Sequence, residues 1–277
     1  MVEKTLSDSV ITGADGMLGC YFDFGFKTDK DTLDITNEKR VREVLKAKKP
    51  KYVFHLAALT DLELCERHRE LALQINFFGT KKLAQVCREI GAKMIYISTA
   101  AVFGGKKRHK TDEAPQPKSF YAITKYSGEI AVQSILEDYL IIRTSWLFGG
   151  GPKKDKKFVS KILRQIEEGL KIKAVGDLYG CPTYCKDLVF GIEELIKDEK
   201  RGIFHIVNKG EASRYEIARE IIKIIGKKVE IEKVSNKEFS SKVFRDHEML
   251  ESSLSLRPWQ EALKEYVESE WLQRKQG

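Results

Sequence analysis

The sequence predicts an α/β fold in which a parallel sheet is covered by helices and followed by a smaller α/β part. Two observations support this fold class. Short apolar runs alternate with segments of helical periodicity through the first half of the chain, which is typical of parallel sheets. In addition, Gly13, Gly16 and Gly19 directly follow the first apolar run, at the expected turn from a strand into a helix.

The individual elements follow from these patterns. Buried apolar runs predict strands at residues 9–11, 52–56, 93–97, 139–143 and 202–207. Apolar residues at helical spacing predict helices over 71–90 and 121–136. After a loop at 149–152 we expect helices over 158–168, 187–196 and 213–225, with a strand at 171–175. Pro258 occupies a position where a first-turn proline is tolerated, and it opens a terminal helix over 259–271.

Composition excludes several classes of protein. The chain has 277 residues, of which 42% are hydrophobic, and no apolar run approaches the ~20 residues of a membrane span. The polar segment 1–8 does not resemble a signal peptide. The five cysteines include no CxxC pair, and the five histidines are dispersed. We therefore expect a cytoplasmic protein with reduced thiols and no metal site, although Cys181 and Cys185 could approach a shared metal.

The net charge of +8 includes two basic clusters, at residues 106–110 and 153–157. Neither cluster has the interleaved aromatic residues of a base-stacking platform, so nucleic acid is not an expected partner. Two interpretations remain open. The clusters are either solvated loops or a basic rim that attracts a phosphorylated substrate.

The glycine loop predicts a nucleotide site. Glycine permits a tight turn and lets backbone N–H groups approach a pyrophosphate. The acid that would bind the adenosine ribose is expected ~20 residues further on, at the end of a second strand. The stretch 20–33 has no convincing apolar strand, and Asp29, Asp31 and Asp34 are all candidates. Lys27 and Lys30 could instead meet a 2′-phosphate, so the choice between NAD and NADP stays open.

Tyr121, Lys125 and Thr99 form a candidate catalytic set. Tyr121 and Lys125 are four residues apart and therefore share one helical face. A tyrosine whose pKa is lowered by a nearby ammonium can donate a proton to a carbonyl oxygen while hydride reaches the carbon. Thr99, at the end of an apolar strand, either donates a hydrogen bond to the same oxygen or only caps the strand.

Three further residues have two interpretations or a simple structural one. Asn76 lies in an otherwise apolar helix, where it either bonds the backbone near the site or marks a kink. Trp146, just past a strand, is either a surface for stacking on a sugar or part of the core. Asp187 is most simply explained as a helix cap.

Several longer motifs extend over most of the chain. They are Leu33-Asp34-Ile35-Thr36, His55-Leu56-Ala57-Ala58-Leu59-Thr60, Asn76-Phe77-Phe78-Gly79-Thr80, Ser98-Thr99, Val102-Phe103, Tyr121 to Lys125 with Gly128-Glu129, Arg143 to Gly149, Gly180-Cys181-Pro182-Thr183 and Arg257-Pro258. In these motifs the chain resembles the extended short-chain dehydrogenase/reductases, and within them the dTDP-4-dehydrorhamnose reductase family.

The resemblance implies an organisation and a set of site residues. It implies a doubly wound Rossmann domain over residues 1–147, to which segments near 182–210 return, and an interleaved sugar-nucleotide substrate domain over 148–277. It implies an NADP- or NAD-dependent reductase of a nucleotide-linked 4-keto-6-deoxy sugar, with a homodimer expected by analogy. The implied catalytic residues are Thr99, Tyr121 and Lys125, and the implied substrate-binding residues are Thr99, Tyr121 and Trp146. The implied cofactor-binding residues are Gly13, Asp15, Gly16, Met17, Leu18, Gly19, Asp34, Ile35, Leu56, Ala57, Ala58, Thr60, Asn76, Tyr121 and Lys125.

The chain also departs from the family pattern. Ala100-Ala101 replaces an acid and a phenol that lie near the sugar in the family, and Arg245 to Glu248 match its basic sugar-nucleotide segment only loosely. The segment after the glycine loop is about ten residues shorter than the usual dinucleotide-binding unit. Two alternative functions therefore stay open. One is an epimerase or dehydratase on the same scaffold, and the other is a non-catalytic binding subunit like the regulatory subunit of methionine adenosyltransferase.

Overall fold

The computed structural model describes residues 6–238 and 243–273, so most of the polar segment 1–8 lies outside the described residues. Its centre is a sheet of six parallel strands in the order β10-β5-β4-β3-β1-β2. The strands are β1 (Ser9–Thr12), β2 (Phe26–Thr28), β3 (Tyr52–His55), β4 (Lys93–Thr99), β5 (Tyr139–Thr144), β6 (Leu147–Phe148), β7 (Ile172–Val175), β8 (Tyr179–Gly180), β9 (Thr183–Tyr184), β10 (Gly202–His205), β11 (Ala212–Ser213) and β12 (Ile231–Val234). The predicted α/β class with a doubly wound parallel sheet is confirmed.

Both faces of the sheet are buried, which explains why its strands read as continuous apolar runs. Val10, Val53 and Met94 face helices Glu38–Lys48, Thr80–Ile90 and Phe120–Ile135 on one side. The alternate residues Ile11, Phe54 and Ile95 face helix Cys185–Lys197 on the other side. Since successive side chains of a strand point to opposite faces, each short run serves two layers of helices.

The strand order reverses between β1 and β3. From β1 the chain moves to β2 on one side and then crosses back to β3, which pairs with β1 from Ser9↔Tyr52 to Thr12↔His55. In an open parallel sheet, ligands bind outside the carboxyl ends of the strands at such a reversal. The fold therefore places the glycine loop and the segment after His55 at the expected ligand site.

The later part of the chain packs around a separate apolar cluster. Its helices are Gly151–Lys154, Phe158–Glu167, Arg214–Ile225 and Trp259–Glu265, and β7 pairs with β12 beside them. A capping box at Ser213 and Glu216 begins helix Arg214–Ile225. The predicted helices and strands occur here within a few residues of their expected bounds, and the division into domains at 147 stays a prediction.

Two predicted helices contain wider turns. The helix expected over 71–90 consists of Arg69–Leu73, a π-helical segment Gln74–Gly79 and Thr80–Ile90. The terminal helix continues from Trp259–Glu265 into a π-helical segment, Tyr266–Leu272. Pro258 precedes this helix as its N-cap. Within residues 6–238 and 243–273, no helix is long and apolar enough to cross a bilayer.

The region after the glycine loop corrects two expectations. No α-helix follows the loop, since the chain forms only a three-residue 3-10 turn, Gly19–Tyr21. A second strand does exist, although no apolar run in the sequence predicted it. It has three residues at the edge of the sheet, and Phe26 and Lys27 are exposed. A short, half-exposed edge strand requires no apolar run, which is why periodicity did not predict it.

Asp187 is a third correction, because it does not cap a helix. It lies in the first turn of helix Cys185–Lys197, whose N-cap is Tyr184. Its carboxylate accepts hydrogen bonds from Arg257 Nη2 at 2.7 Å and Nε at 2.8 Å, and from Asn208 Nδ2 at 2.7 Å. Asp187 therefore ties the segment before the terminal helix to the central sheet.

Candidate active site

The glycine loop is held close to the segment that follows β3. Gly13 has φ +69°, and a Cβ atom there would lie 2.8 Å from Ala57 Cα and N. Only glycine fits this close approach. At Gly19 an added Cβ would lie 2.4 Å from Ala14 O, so the loop also folds tightly onto itself. The loop is thus shaped by backbone contacts that side chains would prevent.

The outer side of the loop fits an anionic ligand. A Cβ atom at Gly16 would meet only Gly13 O, at 3.2 Å, and Gly16 is exposed. Within residues 6–238 and 243–273, the amide hydrogens of Met17 and Leu18 have no protein acceptor. Exposed Asp15 and these free N–H groups lie at the reversal of strand order. Backbone N–H groups arranged in this way bind phosphate oxygens.

A buried polar chain supports the segment after β3, and sequence reasoning missed it. His55 Nδ1 and Thr12 Oγ1 are 2.9 Å apart, and His55 Nε2 lies 2.9 Å from Thr80 Oγ1. Burial, reinforced by the nearby Lys125 ammonium, lowers the pKa of His55 to about 3. The imidazole is therefore neutral. It fixes the ends of β1 and β3, after which Ala57 and Ala58 are partly exposed to the cleft.

Asn76 satisfies both of the interpretations given for it. Its Oδ1 accepts from Leu59 N at 2.8 Å, and its Nδ2 donates to Leu59 O at 3.0 Å and to Thr124 Oγ1 at 3.1 Å. It also lies in the π-helical segment. These bonds use both amide hydrogens, so Asn76 positions the Leu59 backbone, and its expected contact with the cofactor stays a prediction.

The other residues expected to bind the cofactor surround the same edge. Asp29, rather than Asp34, directly follows β2, and its Oδ1 accepts from Thr32 N at 2.9 Å. Asp34 Oδ1 accepts from Thr36 N at 2.8 Å. Ile35 is buried against Gly79, where an added Cβ would lie 2.9 Å from Ile35 Cδ1. The remaining two, Leu56 and Thr60, lie in the segment after β3, and Thr60 is exposed.

Tyr121, Thr99 and Lys125 lie together on the neighbouring part of this edge. Thr99 ends β4, and Tyr121 lies in the first turn of helix Phe120–Ile135, which Ser119 caps. The Thr99 hydroxyl makes a hydrogen bond with the Tyr121 phenol. Thr99 Oγ1 also accepts from Ala101 N at 3.1 Å, so the capping role exists as well. Lys125 is buried one turn further along the helix.

The predicted electrostatic effect of Lys125 on Tyr121 is wrong. Burial raises the pKa of Tyr121, and the Glu248 carboxylate raises it further. The ammonium of Lys125 lies 4.1 Å from the centre of the Tyr96 ring, and burial lowers the pKa of Lys125 to about 7. Desolvation thus outweighs the hydrogen bond from Thr99 at Tyr121, and it outweighs the attraction of the Glu129 carboxylate at Lys125.

A buried ion pair fixes the helix that carries these residues. Arg143 Nη2 donates to Glu129 Oε2 at 2.7 Å, and Arg143 Nε donates to Oε1 at 3.0 Å. Ser98 Oγ donates to the same carboxylate at 2.5 Å. Glu129 belongs to the catalytic helix, whereas Ser98 and Arg143 belong to β4 and β5. The pair therefore sets the position of Tyr121 relative to Thr99.

The far side of the cleft is lined by Trp146, Arg214 and Glu248. The Arg214 guanidinium carbon lies 4.1 Å from the centre of the Trp146 ring, and Trp146 hydrogen-bonds Glu248. Trp146 has φ +39° and is half-buried against the later apolar cluster, so it belongs partly to the core, and its stacking on a sugar stays a prediction. Its ring also packs on Gly180, where an added Cβ would lie 2.4 Å from Trp146 Cε2.

Arg214 and Glu248 were not identified from the sequence as site residues. Glu248 is held by its backbone, since Glu248 N donates to Tyr179 O at 2.8 Å and Ser145 Oγ donates to Glu248 O at 2.7 Å. Burial raises the pKa of its carboxyl, and Arg214 opposes that rise. The loose match of 245–248 to the family's basic segment was the one available signal.

The positions of the cysteines and histidines bear on the expectation that the protein has no metal site. Cys65, Cys87, Cys181 and Cys185 are buried free thiols, and Cys20 is exposed. In the part of the chain that the structure describes, no three His, Cys, Asp or Glu side chains are grouped to hold a metal ion. Burial raises the pKa of Cys181 to about 11, so its thiol stays protonated.

This geometry defines a class of protein. A dinucleotide fits the glycine loop at the reversal of strand order. Beside it, a phenol supported by a hydroxyl and an ammonium can exchange a proton with a carbonyl compound. The class is a dinucleotide-dependent oxidoreductase of the short-chain type.

Comparison with known proteins identifies the family within this class. The family described as the RmlD substrate binding domain matches residues 9–271. A spore coat polysaccharide biosynthesis protein, SpsK, of Bacillus subtilis is 32% identical over 94% of this chain and 96% of its own. A dTDP-4-dehydrorhamnose reductase of Streptomyces griseus is 32% identical over 78% of this chain and 76% of its own.

A solved structure agrees with this result. The dTDP-4-dehydrorhamnose reductase of Bacillus anthracis in complex with NADP is 33% identical, with a TM-score of 0.89 over 94% of this chain and 98% of that chain. The chain belongs to the dTDP-4-dehydrorhamnose reductase family of the extended short-chain dehydrogenase/reductases.

Proposed function

We propose that this protein reduces the 4-keto group of a dTDP-linked 4-keto-6-deoxy sugar with a nicotinamide dinucleotide. The observation that carries the proposal is the convergence of Tyr121, Thr99 and Lys125 beside the glycine loop. Family members that resemble this chain over most of its length are named as reductases of this kind.

Tyr121, Thr99 and Lys125 each have a separate role in the proposed reaction. A bound reduced nicotinamide supplies hydride to the keto carbon. Tyr121 gives its phenolic proton to the sugar oxygen, and the Thr99 hydroxyl stabilises the charge that develops there. Lys125 holds the ribose hydroxyls of the dinucleotide and passes a proton back towards Tyr121.

The residues across the cleft form the substrate side of the proposal. Arg214 provides positive charge for the diphosphate of the nucleotide, and Trp146 packs against the sugar. Lys157 Nζ donates to Thr60 Oγ1 at 3.2 Å and extends this basic rim. Glu248 accepts hydrogen bonds from sugar hydroxyls. The proposed substrate part, over residues 148–277, therefore faces the proposed dinucleotide part, over 1–147.

Turnover with dTDP-4-keto-6-deoxyglucose tests this function, followed by loss of NADPH or NADH absorbance. We expect net, stoichiometric oxidation of the nicotinamide. Replacing Tyr121 by Phe should reduce kcat by about 10²–10⁴-fold, with cofactor affinity within about twofold of the wild type. Conversion of the sugar without net oxidation would favour the epimerase or dehydratase. Binding of the sugar nucleotide with no conversion would favour the non-catalytic subunit.

We also propose that the protein forms a homodimer through two adjacent helical segments. Leu71 and Phe78 are exposed on the segment 69–90, and Ile123 and Ile130 are exposed on Phe120–Ile135. The four side chains lie on two helical segments that pack together, and they provide the apolar surface for this interface. A second copy of this face would cover it.

Light scattering after size-exclusion chromatography tests the dimer. We expect a dimeric wild type, and a monomer when Ile130 is replaced by Glu. Phe190, which is exposed on helix Cys185–Lys197, provides a matched control, since its replacement by Glu should leave the dimer intact. A monomeric wild-type protein would contradict the proposal.

A further inference from the structure

The glycine loop of this chain lacks the usual source of positive charge. In dinucleotide-binding folds, the N-terminus of the helix after the loop carries about half a positive charge and faces the pyrophosphate. Here only the 3-10 turn Gly19–Tyr21 follows the loop. A single turn sums few peptide dipoles, so the loop needs another cationic group if it is to hold two phosphates.

The later part of the chain brings a lysine to this loop. The short helix Gly151–Lys154 begins at the third of three consecutive glycines, and Lys154 Nζ donates to Asp15 O at 2.6 Å. Gly150 has φ +81°, and an added Cβ there would lie 3.4 Å from Met17 Cγ and Met17 O. The short helix therefore packs directly on the part of the loop whose amides are free.

A second contact fixes the same approach. Tyr21, the last residue of the 3-10 turn, accepts a hydrogen bond from Gly150 N at 2.5 Å through its hydroxyl. That hydroxyl donates to Glu270 at 2.8 Å, so the terminal helical segment also holds it. The turn that replaces the missing helix is thus the anchor for the segment that carries Lys154.

The charge of Lys154 is available to a ligand. Its hydrogen-bond partner, Asp15 O, is a neutral carbonyl, and within the described residues no carboxylate lies within 4 Å of its ammonium. Lys154 is exposed, and so are its neighbours Lys153 and Lys156. Lys154 differs from these two because it is directed onto the glycine loop.

We propose that Lys154 supplies the positive charge for the dinucleotide pyrophosphate that a helix N-terminus supplies in other dinucleotide-binding loops. The proposal rests on the proposed function, since it assumes that a dinucleotide occupies the loop. Under this proposal, both parts of the chain contribute residues to the cofactor site. Phosphate contacts from one ammonium strengthen binding most at low salt.

Equilibrium titrations of the full chain with NADPH, NADH, ADP and adenosine test this role. Replacing Lys154 by Met should weaken NADPH, NADH and ADP by about tenfold each, and adenosine by less than about twofold. The affinity for NADH should depend less steeply on salt concentration in Lys154→Met than in the wild type, by the amount expected for the loss of about one charge. Lys153→Met is the matched control and should leave all four affinities within about twofold, and both variants should unfold at the wild-type midpoint.

Three results would overturn the proposal. Equal effects of Lys153→Met and Lys154→Met would show a general surface charge, and unchanged affinities in Lys154→Met would show no contact. A loss confined to NADPH would place Lys154 at the 2′-phosphate instead. If wild-type protein binds neither NADPH nor NADH, the proposed function itself fails, and this outcome is distinct from the other three.

Discussion

Single residues in the cleft show how burial controls the chemistry. Tyr121 keeps its proton because burial and the Glu248 carboxylate raise the pKa of the phenol. Lys125 titrates near neutrality because its ammonium is desolvated. The two groups that exchange protons in the proposed mechanism therefore have environments that favour their neutral forms, which suits proton transfer in a closed site.

The prediction for a single residue concerns Glu248 and its contact with the sugar. Replacing Glu248 by Gln removes a charged acceptor for sugar hydroxyls, so kcat/KM for the sugar nucleotide should fall about tenfold. Cofactor affinity should stay within about twofold of the wild type, because Glu248 lies on the substrate side of the cleft. Steady-state kinetics and cofactor titration measure the two quantities.

A nearby carboxylate provides the control for this prediction. Glu251 is exposed three residues further on, and Glu251→Gln should leave kcat/KM unchanged. Equal kcat/KM values in Glu248→Gln and the wild type would mean that Glu248 does not contact the sugar. Weakened cofactor binding would place it on the wrong side of the cleft.

At the scale of elements, the catalytic helix depends on one buried ion pair. Helix Phe120–Ile135 begins at the Ser119 cap and is joined to β4 and β5 through Glu129, Ser98 and Arg143. Gly128 allows this approach, because an added Cβ would clash with the hydroxyl of Tyr96 on β4. The helix cannot shift along the sheet without breaking these bonds.

The ion pair leads to a stability prediction. Replacing Arg143 by Met leaves the buried Glu129 carboxylate without its partner, so the free energy of unfolding should fall by about 3–5 kcal/mol. Denaturant unfolding measures this change. The Arg67–Glu63 pair on the surface is a control, and Arg67→Met should leave the transition where it is in the wild type. Similar midpoints for both variants would contradict the role given to the buried pair.

At the scale of the whole molecule, the order of strands assembles a site from distant segments. The glycine loop follows β1, the His55–Ala58 segment follows β3 and Thr99 ends β4, and all of them meet at one edge of the sheet. Trp146 and Lys154, which come later in the chain, lie over this edge of the sheet. The catalytic groups are therefore buried by the complete fold and not by any single element.

Burial of Lys125 has a consequence for global stability. The pKa of Lys125 is about 7 in the folded protein and 10.5 for an ordinary lysine, so below pH 7 both states hold the proton and burial of the charge is fully destabilising. Between pH 7 and 10.5 the unfolded state binds more protons, so this penalty decreases as pH rises. Lys125→Met should therefore exceed the wild type in stability by about 2 kcal/mol or more at pH 6.

The pH dependence of this difference is the measurement. Unfolding free energies of wild type and Lys125→Met, compared at pH 6 and 9.5, should differ less at the higher pH. Exposed Lys81 serves as the control, because Lys81→Met should give a difference that does not depend on pH. A constant difference for Lys125→Met would contradict the low pKa of Lys125.

The sequence by itself determined the α/β class, five of the six strands of the central sheet and most helices, and it pointed to Thr99, Tyr121 and Lys125 as the candidate catalytic set. These features depend on local patterns, since strands buried on both faces must be apolar runs and a helix repeats every 3.6 residues. The glycines of the loop could also be identified, because the positive φ of Gly13 and the close backbone approach at Gly19 restrict the residue type locally.

Only the tertiary structure decided which distant groups act together. It showed that the glycine loop ends in one 3-10 turn and that β2 is an exposed edge strand, where packing and not periodicity selects the conformation. It also brought Glu248, Arg214 and Lys154 to the cleft, and it reversed the expected pKa shift of Tyr121. Burial and long-range contact are properties of the folded chain, and no local pattern of residues encodes them.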